Sequence, residues 1–164
     1  MLTAPTADPG PRRILARYRR AMLNKSADEL ADLYAVDAVH EFPFLFPGMP
    51  TRYHGREEVR AGYKAAWGAS PAQPQQIREV AVHESTDPEV ITVEQLVTGT
   101  VAGTGKPFEF PGLVVMRVRS GAIVHVRDYR DYRDYRDYMD GLKVAQAMGR
   151  LPAVAAMLGG HQPG

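Results

Sequence analysis

Ile14, Leu15, Tyr18 and Met22 recur at helical spacing and predict an apolar stripe on a helix over 11–23. Pro11 suits its first turn, where the missing amide has no partner to lose. Asn24-Lys25 breaks the pattern. Ser26, with Glu29 three residues on, reads as a capping box. It opens a second helix with Leu30, Leu33 and Tyr34 along one side. Residues 38–42 alternate as a strand. The stretch 43–53 holds three prolines and a glycine and predicts a loop. Phe44, Leu45 and Phe46 are too apolar for a freely solvated loop and are expected to cover a cavity. Val59, Tyr63, Ala66 and Trp67 mark the buried side of a third helix over 55–67.

A proline-rich connection at 69–74 leads into strands over 76–85, 89–102, 107–119 and 122–129. Asp87-Pro88, the Gly103/Gly105 pair and Ser120-Gly121 supply the turns, so the pattern predicts an antiparallel meander. Short helical stretches over 140–148 and 151–158 close the pattern. Helices, a strand, a helix and then a run of strands make an α+β fold, not alternating βαβ units. The expected architecture is a cone-shaped α+β barrel. A strongly curved antiparallel sheet wraps three N-terminal helices, a short C-terminal helix follows, and a conical cavity opens at one end. Residues 11–158 are read as one domain, with loose tails at 1–10 and 159–164.

Composition narrows the function. The 164 residues carry a net charge of +1, so no broad field draws the chain to nucleic acid or to a membrane. There is no cysteine, which excludes a thiolate nucleophile, thiolate metal sites and a disulfide scaffold. No apolar run is long enough to span a bilayer, and the N-terminus lacks the apolar core of a signal peptide, so a cytoplasmic location is expected. The five histidines lack zinc-site spacing, and no metal or other cofactor is expected. There is no G-x-S-x-G elbow. The stretch from Gly99 to Lys106 is followed by Pro107 where a P-loop needs Ser or Thr.

The most distinctive stretch is GAIVHVRDYRDYRDYRDYMDGL, an apolar strand running into four Arg-Asp-Tyr triplets that occupy 127–138. Strand alternation puts Val124, Val126 and Asp128 on one face and Ile123, His125 and Arg127 on the other. With the valines facing a cavity, Asp128 faces it too. Desolvation then lifts its pKa from ~3.9 towards neutrality and fits it for proton transfer. The alternative is a solvated strand-end acid paired with Arg127 or Arg130. His40 shares strand parity with Phe42 and can reach the same cavity. Glu94 interrupts the apolar strand VITVEQLV; it is either a second pocket acid or an outward residue at a subunit contact. Phe42, Phe44, Phe46, Tyr63, Trp67, Val114, Met116 and Val126 are the candidate wall, and simple core packing is the rival account of each.

The chain resembles the ketosteroid isomerase-like, nuclear-transport-factor-like superfamily, and within it the SnoaL-like polyketide cyclases and PhzA/PhzB-like proteins. The residues that carry the likeness are ILARYRRAMLNKSADELADLYAVDAVHEF, HGREEVRAGYKAAW, VEQLVTGTVAGTGKPFEF and GLVVMRVRSGAIVHVRDY, then DYMDGLKVAQAMGRLP. The resemblance places Tyr18 where ketosteroid isomerases carry an oxyanion-hole tyrosine. Their catalytic aspartate falls on Phe42 and their second oxyanion donor near Val114, so steroid isomerisation by that route is disfavoured. SnoaL-like and PhzA/PhzB-like proteins place an acid/base carboxylate near the end of the last strand. Counting from the strand, that position is Asp128; counting back from DYMDGLKVAQ, it is Asp137. The hairpin before the strand fixes the register in favour of Asp128. The resemblance implies cofactor-independent acid/base chemistry on a small apolar or aromatic carbonyl compound: isomerisation, cyclisation or condensation. Asp128 would move the proton while His40 and Tyr18 orient or polarise. The alternatives are a non-catalytic ligand-binding or dimerisation module and, less favoured, an epoxide hydrolase, for which the superfamily uses an Asp-Arg-Asp arrangement that Arg117 or Arg127 would have to complete with Asp128. A homodimer packed through the outer sheet face is expected.

Overall fold

The computed structural model describes residues 9–44 and 50–130. Residues 1–8 and 159–164 of the expected tails, the C-terminal helical stretches, Leu45, Phe46, Asp137 and the repeat beyond Arg130 lie outside the described residues. The order is α1 (Pro11–Asn24), α2 (Ala27–Ala31), β1 (Tyr34–Glu41), β2 (Arg52–His54), α3 (Arg56–Ala69), β3 (Ala72–Glu84), β4 (Val90–Val101), β5 (Pro107–Arg119) and β6 (Ala122–Arg130). The fold is α+β, as the pattern predicted.

The apolar stripe of α1 is buried through Ile14, Leu15, Tyr18 and Ala21. Each large side chain there contributes about 1.5–3 kcal/mol by leaving water. The helix ends in a Schellman motif: Ser26 N–H donates to Ala21 O and Lys25 N–H to Met22 O. Lys25 holds the left-handed position, with φ 49°, where glycine is usual. Its side chain accounts for the choice. Lys25 Nζ donates to Ser70 O and Ala72 O, both at 3.0 Å, and ties the end of α1 to the start of β3. Burial there pushes the ammonium below its ordinary range. Only half of the expected capping box forms. Ser26 Oγ accepts from Glu29 N–H, while the Glu29 carboxylate accepts from the Asn24 side-chain amide.

The six strands make one sheet in the order β2-β1-β6-β5-β4-β3. The meander from β3 to β6 is antiparallel throughout. Two expectations need correction. The sheet is mixed, because β1 pairs with β6 in parallel. It is also open, since β2 and β3 stand at its two edges, so the barrel does not close. Tyr34, expected on the second helix, begins β1 instead. The Ile123 amide donates to Leu33 O at 2.8 Å, so strand pairing takes a carbonyl that helical spacing alone would have left to the helix.

Two irregularities set which side chains point inward. In β6, Arg117 pairs with His125 and Val118 with Ile123, so Val124 is the extra residue of a β-bulge. The simple alternation expected for this strand is therefore wrong before His125. Ile123, not Val124, joins Val126 and Asp128 on the buried face. In β1, the register with β6 shifts between Tyr34 and Val39, and Val36 and Asp37 are exposed there. Gly55 closes the return from β2 into α3 with φ 83°. A Cβ at that position would meet Val36 O at 2.9 Å.

On the outer side, Glu89 joins the turn before β4 to the end of β5. Arg117 Nη1 donates to it at 2.9 Å, and Arg119 donates through Nε and Nη2, both at 3.0 Å. Hydrogen bonds from Arg119 and then Arg117 lower the Glu89 pKa from 4.5 to about 2. A depressed carboxylate pKa contributes stability above the unfolded-state value and loses it as pH falls through the folded-state value. Glu89→Gln is therefore predicted to be less stable than wild type at pH 7. The difference should shrink as pH falls from 4.5 to about 2. Urea unfolding across this range checks it, and a difference independent of pH would refute the linkage.

Candidate active site

His40 lies on the inner face of β1 and is completely buried, at 0% exposure. The parallel register seats it beside Val126 of β6, which in turn faces Met116 of β5. One inward position further along β6 is Asp128, 2% exposed and paired in register with Val114. His40 Nε2 lies 3.8 Å from Asp128 Oδ2. That is beyond hydrogen-bond length but close enough for strong coupling between two buried charges. The solvated alternative for Asp128 is excluded by its burial.

Two phenols hold the imidazole. Tyr34 Oη lies 2.7 Å from His40 Nδ1, and Tyr63 Oη lies 3.2 Å from Nε2. A neutral ring offers one donor and one acceptor nitrogen. The nearby carboxylate favours the proton on Nε2, so Tyr34 donates to Nδ1 and the proton-bearing Nε2 faces Tyr63 and Asp128. Rings complete the enclosure. Phe42 lies 4.7 Å from His40 between centroids, Tyr63 lies edge-on at 5.5 Å, and Trp67 extends the cluster at 4.9 Å from Tyr63.

The other predicted residues divide clearly. Phe42, Tyr63, Val114, Met116 and Val126 are all buried in the one core cluster, with Trp67 packed against it. Tyr18 is buried in the same cluster on α1. One assignment to the wall is wrong, and of the two readings left open for Glu94 the inward one fails. Phe44 is 62% exposed and meets Tyr129 edge-on at 5.3 Å, so it does not cover the interior. Glu94 is an outer-face residue, 46% exposed, with Oε2 2.9 Å from His83 Nε2. Its neighbour Gln95 is the inward polar residue of β4. The alternation of Ile91, Val93 and Val97 around Gln95 carried that signal. Tyr34 was missed because Leu30, Leu33 and Tyr34 fit a helix as well as they fit the start of a strand.

Arg117 is engaged by Asp87 and Glu89, and Arg127 is exposed. Neither joins Asp128 in an Asp-Arg-Asp arrangement. Among the described residues no group of three or more His, Asp or Glu is placed to hold a metal ion. No helix among them is long and apolar enough to cross a membrane.

The SnoaL-like domain family matches residues 15–126, more than half of the sequence. The chain belongs to the SnoaL-like domain family. A relative in Pseudomonas aeruginosa, the uncharacterised PhzA/B-like protein PA3332, is 27% identical over 151 residues, covering 90% of this chain and 96% of that one. A solved structure from Bacillus subtilis, assigned provisionally as an isomerase, is 25% identical with a TM-score of 0.70. The match covers 77% of this SnoaL-like chain and 90% of the other. A ketosteroid isomerase-like fold from Catenulispora acidiphila, solved with trimethylamine, has a TM-score of 0.58 at 18% identity. That match covers 77% of this chain and 86% of the other, and at that identity it shows the shared fold alone.

Tyr34→Phe leaves the buried Nδ1 of His40 without the hydroxyl 2.7 Å away. The expected cost is about 1–3 kcal/mol in urea unfolding, the penalty for one unmet buried acceptor. Unchanged stability would show that Tyr34 does not hold the ring.

Proposed function

We propose that this SnoaL-like protein is a cofactor-independent enzyme that moves a proton next to a carbonyl group of a small cyclic or aromatic compound. The observation that carries the reading is the burial of His40 and Asp128 together, 3.8 Å apart, with two tyrosine hydroxyls on the imidazole. A wholly structural core has little use for such a pair, since burying each charged form is costly and an apolar pair of similar volume would cost less.

In this reading Asp128 takes a proton from the carbon next to the carbonyl. The electron pair left by the C–H bond moves onto the carbonyl oxygen as an enolate. A proton on His40 Nε2, together with the Tyr63 hydroxyl, stabilises that oxygen as its charge develops. Where a carbon–carbon double bond is conjugated with the enolate, return of the proton from Asp128 to the far carbon of that double bond, with the carbonyl re-formed, gives isomerisation. Attack of the enolate carbon on a second carbonyl carbon moves that carbonyl's π pair onto its oxygen, which takes the proton from Asp128, and gives the cyclised or condensed hydroxy compound. Tyr18, on the inner face of α1, orients the substrate, and the ring cluster of Phe42, Tyr63 and Trp67 excludes water. Burial opposes the charged form of each partner, while each charged form favours the other, so the pair is expected to titrate as a unit.

Deuterium exchange at the positions beside the carbonyl of cyclic ketones, followed by NMR in D2O, tests this without knowing the natural substrate. Wild type is expected to accelerate exchange, and Asp128→Asn to lose about 10²–10⁴ of that rate, the usual contribution of a positioned general base. Asp128→Asn exchanging as fast as wild type would remove Asp128 from the chemistry.

A further inference from the structure

Tyr34 has no part in the proton transfer described above, yet it makes the shorter of the two contacts to the imidazole. Its hydroxyl lies 2.7 Å from His40 Nδ1, against 3.2 Å for Tyr63 at Nε2. Tyr34 and His40 are both completely buried. In a regular strand six residues span about 20 Å, too far for these two side chains to meet. The irregularity in β1 shortens that span. Tyr34 pairs with Ile123 and Val39 with His125, so β1 passes five residues where β6 advances by two. The backbone on either side of this shift is pinned. Arg56 Nε donates to Tyr34 O, and the Ile123 amide donates to Leu33 O, both at 2.8 Å.

The chemistry of a neutral imidazole gives this contact a use. Nε2–H can hydrogen-bond to a substrate oxygen, but giving that proton away alone would leave an imidazolate. An anion shut off from water is costly. A proton arriving at Nδ1 in the same step keeps the ring neutral, and the Tyr34 hydroxyl stands at that nitrogen. A phenol, with an ordinary pKa of roughly 10, is a far stronger acid than a neutral imidazole.

We propose that Tyr34 and His40 form a proton relay to the carbonyl oxygen of the substrate, so that the site takes simple cyclic ketones and turns them into neutral enols. Asp128 takes the proton from carbon, and the C–H pair moves onto the carbonyl oxygen. That oxygen takes the proton from Nε2. The Tyr34 O–H bond breaks and its proton goes to Nδ1. His40 ends neutral with its tautomer exchanged. Tyr34 ends as a phenolate accepting from Nδ1–H, and the negative charge has passed from Asp128 to Tyr34. The relay runs backwards when carbon is protonated again. Tyr34 is thus a positioning residue that acts through His40. The relay rests on the proton-transfer reading above and adds to it the source of the oxygen's proton.

Deuterium exchange of two ketones tests it with the full chain. The enolate of cyclohexanone is a far stronger base than a phenolate, while that of 2-acetylcyclohexanone is of similar strength. Tyr34→Phe is expected to slow cyclohexanone about 100-fold more than 2-acetylcyclohexanone, the low end of what a positioned proton donor contributes. A residue that merely holds the ring would slow both by one factor. Tyr34→3-fluorotyrosine keeps the shape and makes the hydroxyl more acidic, which holds the test open if Tyr34→Phe does not fold. While that phenol still carries its proton, cyclohexanone exchange is expected to quicken. Equal slowing of both ketones by Tyr34→Phe, or no quickening with Tyr34→3-fluorotyrosine, overturns the relay. The proton-transfer reading survives either result as long as Asp128→Asn abolishes the exchange. No exchange above the solvent rate in wild type overturns both.

Discussion

The parallel pairing of β1 with β6 is the constraint on which the interior depends. It sets His40 against Val126, and so brings Asp128, one inward position further, to the imidazole edge. A shift of either strand by one residue would turn His40 or Asp128 to the opposite face. The register is held from both sides. The Val124 bulge lets Ile123 and Val126 both face inward, and the shift in β1 lets Tyr34 and His40 do the same. Tyr34 can then reach back to Nδ1 across six residues of its own strand.

This arrangement accounts for the polar content of an otherwise apolar core. His40 and Asp128 are buried with Phe42, Tyr63, Val114 and Met116, so a charge on either would lie away from water. Among the groups the chain itself supplies are the two tyrosine hydroxyls on the imidazole and the close approach of the two side chains to each other. In so low a dielectric these few contacts carry more energy than they would on the surface. The exposed clusters differ in kind. Arg60, with Asp28, Asp32 and Glu57, and Glu89, with Arg117 and Arg119, join neighbouring elements through solvent-screened pairs.

Most of the architecture was legible because it follows from periodicity. The stripe on α1, the Val59–Tyr63–Trp67 side of α3 and the turn signals between β3 and β6 each fixed an element within a few residues. His40 and Asp128 were legible as inward strand positions. Misreadings fall where a local pattern yields to a distant partner. Tyr34 satisfied a helical repeat until Ile123 claimed the carbonyl of Leu33. Val124 satisfied strand alternation until the hairpin with β5 inserted a bulge. Phe44 was expected to cover the interior on hydrophobicity alone, but its ring rests on Tyr129 at the surface. Gln95 went unremarked because a strand glutamine carries no motif, and the Arg19 Nε–H that its Oε1 accepts comes from α1, far away in sequence.

The central claim is that His40 and Asp128 act as one coupled pair. An NMR titration of the wild-type chain, following the His40 ring nitrogens and the Asp128 carboxyl carbon together, tests it most directly. The account predicts that both resonances move through the same midpoints, as coupled groups must. An Asp128 signal that stays flat while His40 titrates alone would contradict it.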